Sequence, residues 1–255
     1  MIRLVRAEWT KLFTTRVWLG LLLGACLMVA GFSALLTGFA GSSQNGQPGL
    51  PPVGDPQFEQ VAFAVSTNAS VLFLILGIIG MTQEYRHRTA TPTFLTTPRR
   101  GRVVVAKLVA YALAAVPIGL LIVAVNVLVV ELYAGARGAA PSISGDNLRV
   151  IAGAWAALVI YAVIGVGVGA LLRSQVGAIV GALVYLFVIE GIVFRAIPVL
   201  APAIKWLPGG ALEAMTATLN ETELLEPWQG GLVLLGYGLL AALVGTVFAV
   251  RRDIV

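Results

Sequence analysis

Residues 108–130 read LVAYALAAVPIGLLIVAVNVLVV, 23 residues in a row without a charge. A helix needs about 20 mostly apolar residues to cross the hydrocarbon of a bilayer. In that solvent every backbone N–H and C=O must find a partner inside the protein, so only helices and closed barrels span it. A barrel strand is about ten residues long and alternates in polarity. This run is continuous and about twice that length, so it is a spanning helix. Its two interruptions, Pro117 and Asn126, are packing or kink elements, or face a central path.

Five more windows qualify on either side of it. Residues 17–39, 61–82 and 150–172 carry no charge, a fifth run starts at Ser174 and meets Glu190 near its far end, and the sixth covers 230–250. Over the 255 residues 58% are hydrophobic and 11% charged, whereas soluble domains carry about a quarter charged residues. A chain so poor in charge cannot cover its surface in water. The expected fold is an all-α integral membrane protein, a single transmembrane domain over residues 1–255 with six transmembrane helices.

Several function classes drop out on residue counts. The lone cysteine, Cys26, cannot close an internal disulfide, and with His87 as the one histidine no zinc site of three or four His and Cys ligands can be assembled. No metal site is expected. The basic residues form no stretch interleaved with exposed aromatics, which argues against nucleic acid. The first apolar run is too long for the h-region of a cleaved signal peptide.

Lys and Arg give the orientation, because they accumulate in cytoplasmic loops. Arg3, Arg6, Lys11 and Arg16 precede the first span. Arg86, Arg88, Arg99, Arg100, Arg102 and Lys107 separate the second from the third, Arg173 the fourth from the fifth, and Arg251 and Arg252 follow the sixth. Only Arg137, Arg149, Arg195 and Lys205 fall on the other side. The richer side is the cytoplasm, and six spans put both termini there.

Three segments do not span. Residues 2–16 fit an amphipathic helix lying on the membrane surface. Ile2, Val5, Trp9, Leu12, Phe13 and Val17 share a sector about 100° wide, Arg3, Glu8, Thr10, Lys11 and Thr14 lie around the rest, and Leu4 breaks the pattern. Residues 83–107 are too polar to span and too long for a tight turn, and Pro92 and Pro98 punctuate them. Phe94 and Leu95 stand out as apolar residues on this basic loop. They either dock another protein or tuck against the membrane interface. In residues 196–229, Pro198, Pro202, Pro208, Gly209 and Gly210 break apolar stretches too short to cross, the pattern of a re-entrant or interfacial pair of short helices. Residues 40–60 are rich in Gly, Ser, Gln and Pro and read as a flexible loop.

Small residues spaced by four permit close helix contact in lipid. Gly20 and Gly24, Gly165 and Gly169, and Gly177 and Gly181 are such pairs, and at least one is expected at a helix crossing. Glu190 is the one ionisable residue well inside an expected span, where such groups are costly. Three roles are open to it: a hydrogen-bonding partner for the broken segment that follows, a wall of the substrate path, or a proton carrier.

Two places in the sequence resemble the permease subunits of type-2 ABC exporters. Glu8-Trp9-Thr10-Lys11-Leu12 followed by Thr15-Arg16 looks like the family's connecting helix. Glu84 to Thr89, then Thr97-Pro98-Arg99-Arg100 and Lys107, looks like its coupling segment. The resemblance implies two permeases, identical or related, each docked to a separate cytoplasmic ABC ATPase. Two ATPase copies would bind the ATP and Mg, and substrate would move outward across the cell membrane. Coupling would rest on Glu84, Arg88, Thr89, Phe94, Leu95, Pro98 and Arg100, and the connecting helix on Glu8, Trp9, Lys11 and Arg16. Glu84 either pairs locally with Arg88 or anchors the segment against the connecting helix or the ATPase.

The residues support the same division of labour. No Gly-x-x-x-x-Gly-Lys-Ser/Thr phosphate loop occurs in the chain, so ATP hydrolysis would belong to another subunit. Spans almost free of charge favour an apolar or amphipathic substrate such as a drug, antibiotic or lipid. A stand-alone secondary transporter and a non-transporting accessory or immunity protein are the alternatives.

Overall fold

The computed structural model describes residues 1–42, 49–86, 100–172, 174–216 and 224–251. Helix α1 (Ile2–Thr14) ends where Thr15 turns extended, at φ −85° and ψ 138°, so it is separate from α2 (Val17–Gly38). An aromatic ladder braces the corner. Trp9 and Phe13 have ring centroids 4.8 Å apart, and Phe13 and Trp18 5.0 Å.

The second span begins earlier than hydropathy alone suggests. Asp55 caps α3 (Pro56–Ala64), its side chain accepting from Gln57 N at 2.8 Å with Pro56 in the first turn. Both are strong helix starters. A 3-10 turn (Val65–Ala69) leads into α4 (Ser70–Arg86), and the three pieces make one apolar rod of 31 residues. Helix α5 (Arg100–Ala136) also outruns its apolar window and carries Pro117 inside it. Helix α6 (Gly145–Leu172) follows.

Ser174 caps α7 (Gln175–Leu183), which continues as a π-helix over Val184–Phe194. After a 3-10 turn (Pro198–Leu200) come two short helices, α8 (Ala201–Ile204) and α9 (Pro208–Thr216). The chain closes with α10 (Pro227–Arg251). Six helices are long and apolar enough to cross a membrane, and no strand occurs among the described residues. The protein is an all-α, multi-pass membrane protein.

Helix α6 is the centre of the bundle, with α4 on one side and α10 on another. Glycines set the spacing. A Cβ placed on Gly165 would meet the Leu74 carbonyl oxygen, and one on Gly77 the Ala162 carbonyl oxygen. Gly165 and Gly169 therefore belong to the α4–α6 crossing. Gly20 and Gly24 have open space beside them, and Gly177 and Gly181 meet only residues at the junction before α7. Across the bundle's outside, Leu23, Leu27, Leu120, Leu128 and Leu240 are exposed, a surface suited to lipid tails.

Buried polar groups tie irregular backbone to the bundle. Asn126 on α5 is fully buried, and its amide donates to the Ala62 and Phe63 carbonyls at 3.2 and 2.7 Å, where α3 gives way to the 3-10 turn. Ser33 of α2 donates to Asn126 Oδ1 at 2.5 Å. Asn126 is thus hydrogen-bonded to α2 and to the end of α3. Arg137 donates to the Thr37 and Ala40 carbonyls, closing the last turn of α2.

Candidate functional site

Three helix ends meet at one end of the bundle: α1, the end of α4 and the start of α5. Each contributes residues spaced by one turn, so that they share a face. From α1 come Glu8, Lys11 and Leu12; from α4, Gly80 and Glu84; from α5, Lys107 and Tyr111. Gly80 is what lets the helices close, because a Cβ there would fall inside the Tyr111 ring.

Four charges lie at the meeting point. Lys107 Nζ is 2.6 Å from Glu8 Oε2, 3.3 Å from Glu84 Oε1 and 3.0 Å from the Gly80 carbonyl oxygen. An ammonium has three protons to donate, and three oxygens surround this one. Lys11 Nζ is 2.7 Å from Glu8 Oε1 and 3.0 Å from Glu84 Oε1. Two acids and two bases balance. Lys107 is 0% exposed, Glu84 4% and Glu8 5%, while Lys11 reaches toward the surface. Burial pulls the Lys11 ammonium down, but the hydrogen bonds and charges of Glu8 and Glu84 outweigh it, and its pKa stands above the ordinary 10.5.

This arrangement revises three readings of the sequence. Glu8, outside the apolar sector of the helical wheel, lies at the middle of the buried stripe of α1, with Leu4 and Val5 half-buried beside it, while Ile2 of that sector is exposed. The helix turns toward the bundle the one acid whose partners sit on α4 and α5. Lys107 is not a loop residue, because its charge is neutralised inside a helix. Glu190 is therefore not alone as a buried ionisable group.

Trp9 packs half-buried beside Leu12 and Phe13, and Arg16 is exposed at the α1–α2 corner. Arg88, Thr89, Phe94, Leu95 and Pro98 lie outside the described residues. Arg100 opens α5, and its side chain is also outside them.

The model of the ABC-2 family transporter protein matches residues 4–189. The chain belongs to the ABC-2 transporter family. The matched stretch takes in all but the first two residues of α1, the 83–107 segment and the whole charge cluster, and stops one residue before Glu190. A comparison with curated proteins gives no match.

A second polar group lies at the opposite end of the permease. Glu190, on the π-helix, is 4% exposed. Its Oε1 accepts from Gly209 N at 2.5 Å and Gly210 N at 3.2 Å, capping the first turn of α9. Tyr161 Oη donates to the Pro208 carbonyl at 3.2 Å. Arg195 pairs with Glu213 of α9, not with Glu190. Ala211 and Ala214 bury α9 against α6 and α10. The broken segment after Pro198 is thus fixed to the bundle by backbone hydrogen bonds that a sequence pattern does not display.

Proposed function

We propose that this ABC-2 permease is the membrane subunit of an ATP-driven exporter in the cell membrane, with both termini and the 83–107 segment in the cytoplasm. A separate ABC ATPase, two copies per pair of permeases, binds ATP and Mg and docks on that segment. The observation that carries the reading is the Glu8–Lys11–Glu84–Lys107 cluster. It locks α1 to the helices on both sides of the 83–107 segment, which are the parts that would receive force from a docked ATPase.

A buried ion-pair cluster suits that task. Separating its members would leave a charge unpaired where water cannot reach it, at a cost of several kcal/mol. Small displacements of the docked segment are therefore passed on as movements of whole helices. Phe94 and Leu95 insert into a groove on the ATPase, with Arg88, Thr89, Pro98 and Arg100 around them. α1 lies at the cytoplasmic surface of the bilayer, and residues 196–229 form the extracytoplasmic re-entrant segment. A second permease, identical or related, covers the exposed faces of α2 and of residues 175–194, the two least buried spans. The substrate is apolar or amphipathic. Two cavities, about 410 and 460 Å³, have largely apolar walls.

Affinity capture of the tagged permease from native membranes in mild detergent, followed by mass spectrometry, tests the reading. A stoichiometric partner carrying a phosphate-binding loop is expected, and it should be lost on replacing Phe94 and Leu95 with Asp. Co-purification unchanged by that double substitution would remove the groove contact. No ATPase partner, even after crosslinking, would favour a stand-alone transporter or an accessory membrane protein.

A further inference from the structure

At the end of the bundle that holds the charge cluster, the lysines spend their charge on acids and the arginines do not. Lys11 and Lys107 take up Glu8 and Glu84, the described acids at that end. Arg3, Arg6, Arg16, Arg86 and Arg102 are exposed, and among the described residues none of them pairs with an acid. Arginine is also the cation whose planar fork of N–H donors matches phosphate. Stripes of residues three or four apart run along α1. Glu8 and Leu12, both buried, belong to the stripe that faces the bundle. Beside it run Ile2, Arg6, Trp9 and Phe13, and beyond these the exposed Arg3, Ala7, Thr10 and Thr14. Arg6 therefore stands in an apolar stripe, between Trp9 and an Ile2 that is 85% exposed. The stripe leads through the Trp9–Phe13–Trp18 ladder to the corner at Arg16, and then to Val17 and Leu19, exposed at the start of α2. Because α2 is long and apolar enough to span, this strip is continuous with surface that meets lipid tails. Aromatic rings at such a level mark the membrane interface, and an arginine there lays its stem on apolar surface and sends its head to the phosphates.

We propose that the outer side of α1 is a binding surface for anionic phospholipid, whose phosphates accept hydrogen bonds from Arg3, Arg6 and Arg16 while Ile2, Trp9 and Phe13 lie among the upper parts of the acyl chains. The inference rests on the exporter reading, which lays α1 on the cytoplasmic face of the bilayer, and it adds the class of lipid recognised there. A zwitterionic lipid carries its own cation beside the phosphate and leaves the arginines uncompensated. An acidic protein surface would match the arginines but not the apolar stripe that leads into the span. Lipid held in this way steadies the helix that brings Glu8 to the cluster.

The test uses the full-length permease reconstituted without the ATPase in phosphatidylcholine bilayers. Two spin-labelled probes, a phosphatidylglycerol and a phosphatidylcholine, carry the same acyl chains, and electron resonance gives the fraction of each that the protein restrains. The anionic probe should be favoured about fivefold, the effect of roughly one arginine close to an anionic surface, and the preference should shrink as salt is raised. Arg3→Gln with Arg6→Gln and Arg16→Gln should bring the ratio close to one without lowering the melting temperature, since these side chains have no described acid to lose. Arg86→Gln with Arg102→Gln, which removes charge from the same end but off α1, should leave most of the preference in place. If the triple variant does not fold, Arg6→Gln alone decides, with a smaller loss in the same direction. Equal restraint of both probes by wild type, an intact preference in the folded triple variant, or an equal loss in the Arg86 and Arg102 variant would overturn the proposal. If the two probes are restrained equally and the triple variant loses a captured ATPase, the arginines serve that protein instead. Because the bilayers contain no ATPase, the lipid results leave the exporter reading standing, whereas failure to capture an ATPase counts against that reading alone.

Discussion

Lys107 Nζ of α5 lies 2.6 Å from Glu8 Oε2 of α1, two residues 99 positions apart in the chain, and the lysine side chain is fully buried. Glu84 Oε1, nearer in the chain, lies 3.3 Å from the same ammonium. The pair, with Glu84 and Lys11, makes the start of the chain and the two ends of the 83–107 segment one structural unit.

Removing one member should therefore cost more than an ordinary surface substitution. Lys107→Met leaves two buried acids facing a single lysine, and breaking a buried pair from one side costs about 3–5 kcal/mol. Adding Glu8→Gln restores charge balance and should recover more than half of the loss. Thermal unfolding of the purified permease in detergent measures both, and a single variant as stable as wild type would contradict the buried network.

The cluster also sets a pH dependence. Lys11 has its pKa raised above 10.5 in the folded protein, so the folded state holds its proton more tightly than the unfolded chain does. The stabilisation is complete below about pH 10 and is lost as pH climbs through the raised value. Melting temperature should fall at strongly alkaline pH, and in Lys11→Met that alkaline slope should be shallower. An identical slope in the variant would show that another group governs it.

The six spans were legible because hydropathy and length are local properties, and α2, α6 and α10 nearly match their apolar windows. Boundaries were less so. Asp55 and Pro56 start α3 outside the apolar run, and α5 reaches back to Arg100 because Lys107 finds acids on other helices. A helical wheel leaves Glu8 outside the apolar sector of α1, because it weighs each residue against water, and only the tertiary partners offset the cost of its burial. The role of Glu190 as a cap for α9 needed the fold, since Gly209 and Gly210 are about twenty residues away. Of the family-like motifs, Glu8, Lys11, Glu84 and Lys107 come together in space.

Helix spacing gives a third expectation. Gly165→Val forces a side chain into the Leu74 carbonyl across the α4–α6 crossing, and overpacking of this kind costs about 1–3 kcal/mol. Gly20→Val, beside open space on α2, should change stability little. Comparing the two by melting in the same detergent checks the crossing, and equal effects would contradict it.

Asn126 supplies a fourth. Asn126→Leu removes the amide that donates to the Ala62 and Phe63 carbonyls and accepts from Ser33, while those groups keep Val65 N, Ser66 Oγ and the Val29 carbonyl as partners. Each lost hydrogen bond costs about 0.5–1.5 kcal/mol, so the variant should melt below wild type. Ser33→Ala, which removes one of those three bonds, should cost less than Asn126→Leu. Melting of the two variants side by side decides it, and equal effects would contradict the network.

The central claim is that α1 and the helix ends flanking the 83–107 segment move as one body. Spin labels at Thr10 and Arg86, both exposed, report their separation by pulsed electron resonance in the ATPase-bound complex, with and without trapped ATP. The account predicts one narrow distance that does not change with nucleotide and broadens in Lys107→Met, while a Thr10–Val199 pair shifts. A Thr10–Arg86 distance that changes with nucleotide in the wild-type complex would contradict it.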